Sequence, residues 1–154
     1  MKITNEHLEI ETRGANDLIN ITEELTRILS ESSLTNGQMT VFIVGSTAAI
    51  TTFEYEPGLI QDMKDAYQRL IPSGTPYRHD ETWGDANGFS HVRAAIQGPS
   101  LVIPFEQGRL LLGTWQQVVV AEFDNRPRRR QIVVQLLGME EVVKSSTSRQ
   151  SRSK

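Results

Sequence analysis

The chain has 154 residues and no cysteine, so it is long enough for one domain with a sizeable core and cannot form disulfides, thiolate nucleophiles or cysteine-ligated metal sites. No apolar run reaches the ~18 residues of a membrane span, and the N-terminal residues lack the apolar core of a signal peptide, which predicts a cytoplasmic protein without membrane contact. The formal net charge of −3 reflects 16 basic and 19 acidic residues, a balance that argues against a general nucleic-acid-binding surface.

Hydrophobic periodicity in the first half of the chain predicts three strands and two helices. A helical spacing of apolar residues begins after Asn20, which we expect to act as the N-cap, with Glu23 completing a capping box. This helix should end before a turn at Asn36-Gly37. Pro57 suits the first turn of a second helix. The predicted strands are Leu8–Thr12, Met39–Val44 and Ala48–Phe53.

The second half of the chain reads as a run of strands separated by glycine- and proline-containing turns. Two early helices followed by a run of strands predict an α+β fold, a single domain with a largely antiparallel sheet. We place this globular domain at residues 1–138. The predicted strands are His91–Ile96, Ser100–Pro104, Arg109–Leu112, Trp115–Phe123 and Arg128–Leu137.

Residues 139–154 differ from the rest of the chain in composition. The last eleven residues contain no acid and four basic side chains, namely Lys144, Arg149, Arg152 and Lys154. Without them the chain has 12 basic and 19 acidic residues, a formal charge of −7. The segment is rich in Ser, Arg and Lys and has few apolar side chains to bury, so we predict a solvated, disordered tail. Contact of the tail with nucleic acid or a partner is the alternative.

A polar segment between two histidines is the densest group of candidate ligands in the chain. His79 and His91 are twelve residues apart, with several acids and Asn87 between them. This separation is not the i, i+4 spacing of two ligands on one helix face, so the rings must converge through a folded loop or neighbouring strand ends. They are either metal ligands, in a site that needs further protein groups, or ordinary hydrogen-bonding groups. The Gly84–Gly88 stretch between them fits a plain turn better than an anion-binding loop.

Basic residues follow a predicted hairpin turn late in the chain. Arg128 and Arg130 share one face of the strand, and Arg129 faces the opposite way. A guanidinium fork matches phosphate oxygens, so one interpretation is a phosphate clamp. The other is a solvated edge strand whose charges limit aggregation. Upstream, Trp115 suits the core, with Gln116 on the opposite face of its strand.

A set of short motifs follows one order between about Leu8 and Gly138. They are Ser46-Thr47-Ala48-Ala49-Ile50 with Glu54, Asp62, Tyr77-Arg78-His79, Asn87 to His91, Gly98-Pro99-Ser100, Leu112-Gly113-Thr114-Trp115-Gln116, and Glu122-Phe123-Asp124 followed by Pro127-Arg128. Together they resemble the YjbQ family, also called the secondary thiamine-phosphate synthase family. The resemblance implies an α+β domain, two helices on a largely antiparallel sheet, that assembles as a homotrimer. It also implies a weak ability to join a pyrimidine diphosphate to a thiazole phosphate, giving thiamine phosphate.

The resemblance also assigns roles to individual positions. The catalytic candidates are His79, His91, Glu54 and Asn87, and the first two are also candidate ligands of a zinc or magnesium ion. The candidates for binding a small phosphorylated substrate are Ser46, Thr47, Gln116, Arg128 and Arg130. One position departs from the family pattern, because Gly45 stands where the family usually has a histidine. Glycine offers no side-chain ligand, so the alternative is a non-catalytic trimeric ligand-binding or scaffold protein that has lost its metal site.

Overall fold

A computed structural model describes residues 1–140 of the chain, which form eight strands and four helices. The strands are β1 (Lys2–Glu11), β2 (Asp17–Asn20), β3 (Leu34–Ile43), β4 (Ala48–Glu54), β5 (Ser100–Glu106), β6 (Arg109–Leu110), β7 (Gln116–Glu122) and β8 (Arg129–Glu140). The helices are α1 (Thr22–Glu31), α2 (Pro57–Leu70), α3 (Arg78–Trp83) and α4 (Gly88–Gln97). Residues 139 and 140, assigned to the predicted tail, end β8, and the rest of that predicted tail lies outside the described residues.

Two antiparallel sheets form the framework of the molecule. One has five strands in the order β1-β8-β3-β5-β6, and the other has three in the order β2-β7-β4. Every pairing within them is antiparallel. The predicted single α+β domain with a largely antiparallel sheet is therefore confirmed. No helix among residues 1–140 combines the length and the apolar character that crossing a bilayer requires.

The core lies on both faces of the three-stranded sheet. Val118 and Val120 of β7 join a large cluster with α1 and the inner face of the five-stranded sheet. Val119 and Ala121 point the other way, into a second cluster that includes Tyr67 of α2 and Ala94 of α4. All four β7 side chains are fully buried. A strand covered on both faces reads as a continuous apolar run, which is the pattern of this segment.

The two predicted helices are confirmed, but the cap of the first is not a capping box. Ile21 is the N-cap of α1 and makes no side-chain cap bond. Asn20 lies one residue earlier, and its Oδ1 accepts from the backbone N–H of Thr22 at 3.0 Å and from its hydroxyl at 2.7 Å. The second helix begins at Pro57, as its missing N–H and fixed φ favour.

The predicted strand His91–Ile96 was wrong, because these residues belong to α4. The buried side of α4 carries Phe89, Arg93 and Ala94, whereas Ile96 is 74% exposed. An inward arginine and an outward isoleucine remove the apolar periodicity by which a helix is recognised. The short helix α3 was also not predicted, so the described residues contain four helices rather than two.

The turn predicted at Asn36-Gly37 was wrong as well, because both residues lie within β3. Gly37 pairs with Gly138 on one side and Phe105 on the other. A Cβ at Gly37 would stand 2.1 Å from the carbonyl oxygen of Leu137 and 2.8 Å from the Phe105 ring. Glycine serves here for close approach of neighbouring groups and not for a turn.

Candidate functional site

Three strand ends meet at one edge of the molecule. The start of β4 pairs with the end of β7, where Ala48 lies opposite Glu122. The connection before β4 also touches β8, since the N–H of Val44 donates to the carbonyl of Gln131 at 2.9 Å. Side chains at the start of β4, at the end of β7 and at the start of β8 therefore come together. Helices α3 and α4 lie beside this edge and complete the site.

A network of ion pairs fills the space between these strand ends. Arg130 donates from Nε and Nη2 to the two carboxylate oxygens of Glu122, at 2.7 and 2.6 Å. Its Nη2 also donates to the hydroxyl of Thr47 at 2.7 Å. That hydroxyl donates to Asp124 at 3.1 Å, and Asp124 accepts from Arg128 at 2.7 Å. Both carboxylates are fully buried. We use the term ion-pair network for the five residues Thr47, Glu122, Asp124, Arg128 and Arg130.

The network holds Asp124 as a carboxylate. Burial alone would raise the pKa of Asp124, but hydrogen bonds from Arg128 and Thr47 and the charge of Arg128 favour the ionised form. The balance lowers the pKa of Asp124 below its ordinary value. The site therefore contains two ionic pairs, with one guanidinium for each of its two buried carboxylates.

The arginines from Arg128 to Arg130 do not lie on a solvated edge strand, so that interpretation of the sequence was wrong. β8 lies between β1 and β3, so it has partners on both sides. Arg130 is only 7% exposed, and Arg128 is half-buried. Arg129 faces solvent and pairs with Glu9 on β1. The alternation along the strand was predicted correctly, and it puts Arg128 and Arg130 on the side of the site.

The two histidines converge across two helices rather than through a loop. His79 lies on α3 and His91 on α4, and their ring centroids are 4.3 Å apart with an interplanar angle of 35°. Asp80 holds the helices in this arrangement, because one of its carboxylate oxygens accepts from the N–H of Gly88 at 2.9 Å and the other from that of Tyr77 at 3.3 Å. A Cβ at Gly88 would stand 2.5 Å from the Tyr77 side chain, so only glycine allows α4 to begin this close to α3.

Polar groups surround the two rings, but not every polar atom there has a hydrogen-bond partner. The Nδ1 atom of His79 is buried and has no hydrogen-bond partner among the described residues. It lies 3.9 Å from Asp80 Oδ1 and 3.7 Å from Asp85 Oδ1, beyond hydrogen-bond distance. Burial lowers the pKa of His91, and proximity to His79 lowers it further, against the opposite effects of Asp85 and Asp124. The protonated form of His91 is therefore disfavoured.

One His–Asp–Asp group among these side chains fits a divalent cation. His79, Asp80 and Asp85 each offer one ligand atom, all within 4.8 Å of one another. Tetrahedral zinc with bonds of about 2.0–2.2 Å keeps its ligand atoms roughly 3.3–3.6 Å apart, so a small contraction would suffice. An imidazole in the set favours zinc over magnesium. The His79 Nδ1 without a partner suits the same role, although the predicted second histidine, His91, is not one of the three.

Asn87 lies between this group and the ion-pair network. It is buried between Asp85 and Asp124. With its amide nitrogen turned toward Asp85, it donates to both carboxylate oxygens, at 3.0 and 3.2 Å. In the opposite orientation the nitrogen lies 3.5 Å from Asp124 Oδ1. The shorter contacts favour the first arrangement. Asn87 thus positions a carboxylate beside His79.

A pocket of about 350 Å³ opens next to His91. Its polar side chains are those of His91 and Ser46, and its remaining walls are small or apolar. The lining residues are Gly45, Ser46, Ala48, His91, Ala94, Ala95 and Pro99. A concave, mostly apolar space with a few directed polar groups is the usual form of a small-molecule site.

Two predicted site residues lie elsewhere in the chain's fold. Glu54 and Gln116 pair with each other at the far end of the β4–β7 ladder. At about 3.3 Å per residue, the length of β4 separates them from the ion-pair network by roughly 20 Å. Gln116 donates to Thr52 at 3.1 Å instead. Trp115 is 70% exposed and precedes β7, so its placement in the core was wrong.

Comparisons with known proteins agree on the family. The family profile described as UPF0047 protein YjbQ-like matches residues 6–139. The chain belongs to the YjbQ family. Among its relatives, a UPF0047 protein of Archaeoglobus fulgidus is 35% identical over 130 residues, covering 84% of this chain and 98% of the relative. UPF0047 protein YugU of Bacillus subtilis is 31% identical over 133 residues, covering 85% and 97%.

Solved structures of similar proteins support the same membership. A YbjQ-like protein of unknown function from Sulfolobus solfataricus superimposes with a TM-score of 0.81 at 29% identity, covering 90% of this chain and 100% of that one. A hypothetical protein of Aeropyrum pernix K1 gives 0.78 at 31% identity, covering 87% and 99%. The YjbQ fold thus accounts for nearly all of the described residues, and the resemblance found in the sequence motifs is confirmed.

Sequence reasoning gave no role to two acids, Glu122 and Asp124, that the structure places in the candidate site, whereas Asp85 was already among the acids noted between the two histidines. Glu122 and Asp124 hold the two arginines, and Asp85 faces His79. A signal for these two acids was present, because both lie at the end of a long apolar run and precede four arginines. Acids at the end of a buried strand need partners, and the adjacent arginines were the available ones.

Proposed function

We propose that this YjbQ-family protein is a weak thiamine-phosphate synthase-like transferase that binds a small phosphorylated substrate in the pocket beside His91. The observation that carries the proposal is the contact of the His79 and His91 rings, 4.3 Å apart, next to a pocket of about 350 Å³. The ion-pair network lies beside it and contains two guanidinium groups, which are groups that bind phosphate oxygens in proteins.

The proposed reaction joins a pyrimidine diphosphate to a thiazole phosphate. The lone pair of the thiazole nitrogen forms a bond to the methylene carbon of the pyrimidine, and the bond from that carbon to the diphosphate oxygen breaks. Pyrophosphate leaves with the bonding electrons, so the site must stabilise negative charge on the departing group. His91 lines the pocket, and its neutral imidazole would donate a hydrogen bond to the departing group. Asn87 and Asp124 would keep the surrounding groups oriented.

A divalent cation held by His79, Asp80 and Asp85 would supply additional positive charge for the leaving pyrophosphate. Metal analysis of untagged protein purified without chelators tests this part of the proposal. We expect stoichiometric zinc in the wild type and its loss in Asp85→Asn. Asp62→Asn is the matched control, since Asp62 lies on α2, outside the three-ligand group. Equal metal content in wild type and Asp85→Asn would contradict the assignment.

The catalytic proposal is tested by an assay of thiamine-phosphate formation. We expect activity in the wild type and a loss of about 10²–10³-fold in His91→Ala, the usual effect of removing one hydrogen-bond donor to a developing negative charge. The third histidine of the chain provides the control, because His7 lies on exposed β1 and its substitution should leave the rate unchanged. An inactive wild type, or a His91→Ala variant as active as His7→Ala, would contradict the proposal.

Gly45 favours a second candidate, a trimeric ligand-binding or scaffold protein without turnover. The position carries no ligand, and a Cβ there would meet Arg130 Nη1 at 2.8 Å. Binding of a phosphorylated ligand without turnover would support this candidate, and stoichiometric zinc would count against it. The homotrimer itself remains a proposal that rests on the family resemblance. Small-angle scattering should give three times the protomer mass, and a monomeric mass would contradict it.

A further inference from the structure

Arg130 fills the space into which a side chain at position 45 would project. Gly45 has φ of +131°, a conformation that L side chains rarely adopt. A Cβ built on it would stand 2.8 Å from Nη1 of Arg130. The absence of a side chain at Gly45 therefore leaves room for the guanidinium in its observed position.

The guanidinium is fixed along one edge and free along the other. Nε and Nη2 donate to Glu122, and Nη2 also donates to Thr47. Nη1 donates to no oxygen within residues 1–140, although the side chain is more than nine-tenths buried. Two N–H groups at Nη1 thus remain available, on a planar group whose orientation is already set.

Nη1 lies next to Gly45, a lining residue of the pocket beside His91, although Arg130 itself is not in that lining. Gly45, which it approaches, lines that pocket together with Ser46 and His91. The nearby Asp124 is paired with Arg128, which limits its repulsion of an anion. Because the guanidinium is already held in place, it loses little conformational entropy when a ligand binds.

We infer that Arg130 determines the specificity of the pocket by binding a phosphoryl oxygen of the ligand through Nη1, and that Gly45 is required for this contact. The inference rests on the proposed binding of a phosphorylated molecule and names its recognition element. The ligand class is a molecule with a terminal phosphate or diphosphate group. Ser46 and His91 contribute further hydrogen bonds at the same pocket.

The test is calorimetric titration with inorganic pyrophosphate. We expect binding to the wild type and an affinity at least about tenfold weaker in Gly45→Ala, because the new methyl group displaces Nη1 and removes a charge-assisted hydrogen bond. Gly74→Ala is the matched control, since Gly74 also has positive φ, +82°, but no atom within 4 Å of an added Cβ. That variant should bind as the wild type does. Equal affinities for Gly45→Ala and Gly74→Ala, or no binding to the wild type, would overturn the inference.

A co-crystal of the wild type with pyrophosphate gives a reading that does not depend on a variant. Phosphate density within hydrogen-bond distance of Nη1 supports the inference, and density elsewhere, or none, overturns it. The outcomes also separate it from the transferase proposal. Pyrophosphate binding that depends on Gly45 without thiamine-phosphate formation refutes only the transferase. Turnover together with binding that Gly45→Ala leaves unchanged refutes only the role of Arg130.

Discussion

Substitution of Glu122 by glutamine should be among the most destabilising isosteric changes in the chain. The carboxylate is fully buried and accepts four hydrogen bonds, two from Arg130, one from the hydroxyl of Thr12 and one from the N–H of Asp124. Glutamine keeps the shape but removes the charge, and its amide nitrogen would face donors. Breaking one side of a buried ion pair costs about 3–5 kcal/mol, because the other charge stays buried without compensation. A domain of this size is typically stable by only about 5–15 kcal/mol.

Urea unfolding followed by circular dichroism measures the difference in free energy of unfolding. The control is Glu31→Gln, which breaks a pair of the same charge type, Arg27–Glu31, whose side chains are 58% and 61% exposed. Such a pair on a helix surface is worth about 0.3–0.5 kcal/mol. If Glu122→Gln lowers the free energy of unfolding by less than ~1 kcal/mol beyond the control, the ion-pair network does not stabilise the fold as described.

Three further changes test other parts of the structure. The lowered pKa of Asp124 stabilises the fold at pH values above the unfolded-state pKa of about 3.9, and this stabilisation disappears as the pH falls through the folded-state pKa. Urea unfolding at pH 7 and between pH 5 and 2 should therefore show a smaller loss of stability on acidification for Asp124→Asn than for the wild type, and an equal loss would contradict the assignment. Leu25→Ala removes a fully buried side chain of α1 and should cost about 2–5 kcal/mol in urea unfolding, against under ~0.5 kcal/mol for the exposed Leu70→Ala. Gly37→Ala places a Cβ 2.1 Å from the Leu137 carbonyl and should lower the melting temperature by ~10 °C or more, and a change of only a degree or two would show that the strands can separate at no great cost.

Helices with an ordinary amphipathic pattern could be predicted from the sequence, and those with an unusual buried residue could not. α1 buries Leu25, Ile28 and Leu29, so its apolar spacing was visible. α4 buries Arg93, whose guanidinium donates to the carbonyl of Ile71 at 2.7 and 2.9 Å at the end of α2. That partner is a backbone atom 22 residues away, which no local pattern indicates.

The sequence indicated which segment to consider as the candidate site, but it did not indicate which carboxylates pair with the arginines. The density of polar residues from Tyr77 to His91 marked the segment, and the structure brings the two histidine rings of that segment into contact. The partners of the arginines depend on which strands become neighbours, and strand order is a long-range property. Glu54 was grouped with the histidines through family motifs, yet the direction of β4 carries it to the opposite end of the sheet.

The hydroxyl of Thr47 joins the two sheets beside the Arg130–Glu122 pair, which also connects β8 to β7. It accepts from Arg130 on β8 of the five-stranded sheet and donates to Asp124, which follows β7 of the three-stranded sheet. Separating the sheets at this edge would leave both buried carboxylates without their hydrogen-bond partners at once. The amides of β4, β7 and β8 near the site should therefore exchange with solvent deuterium as one cooperative unit. Thr47→Val keeps the shape and the Arg130–Glu122 pair but removes both bonds of the hydroxyl, and it should speed the exchange of these amides while they still exchange together.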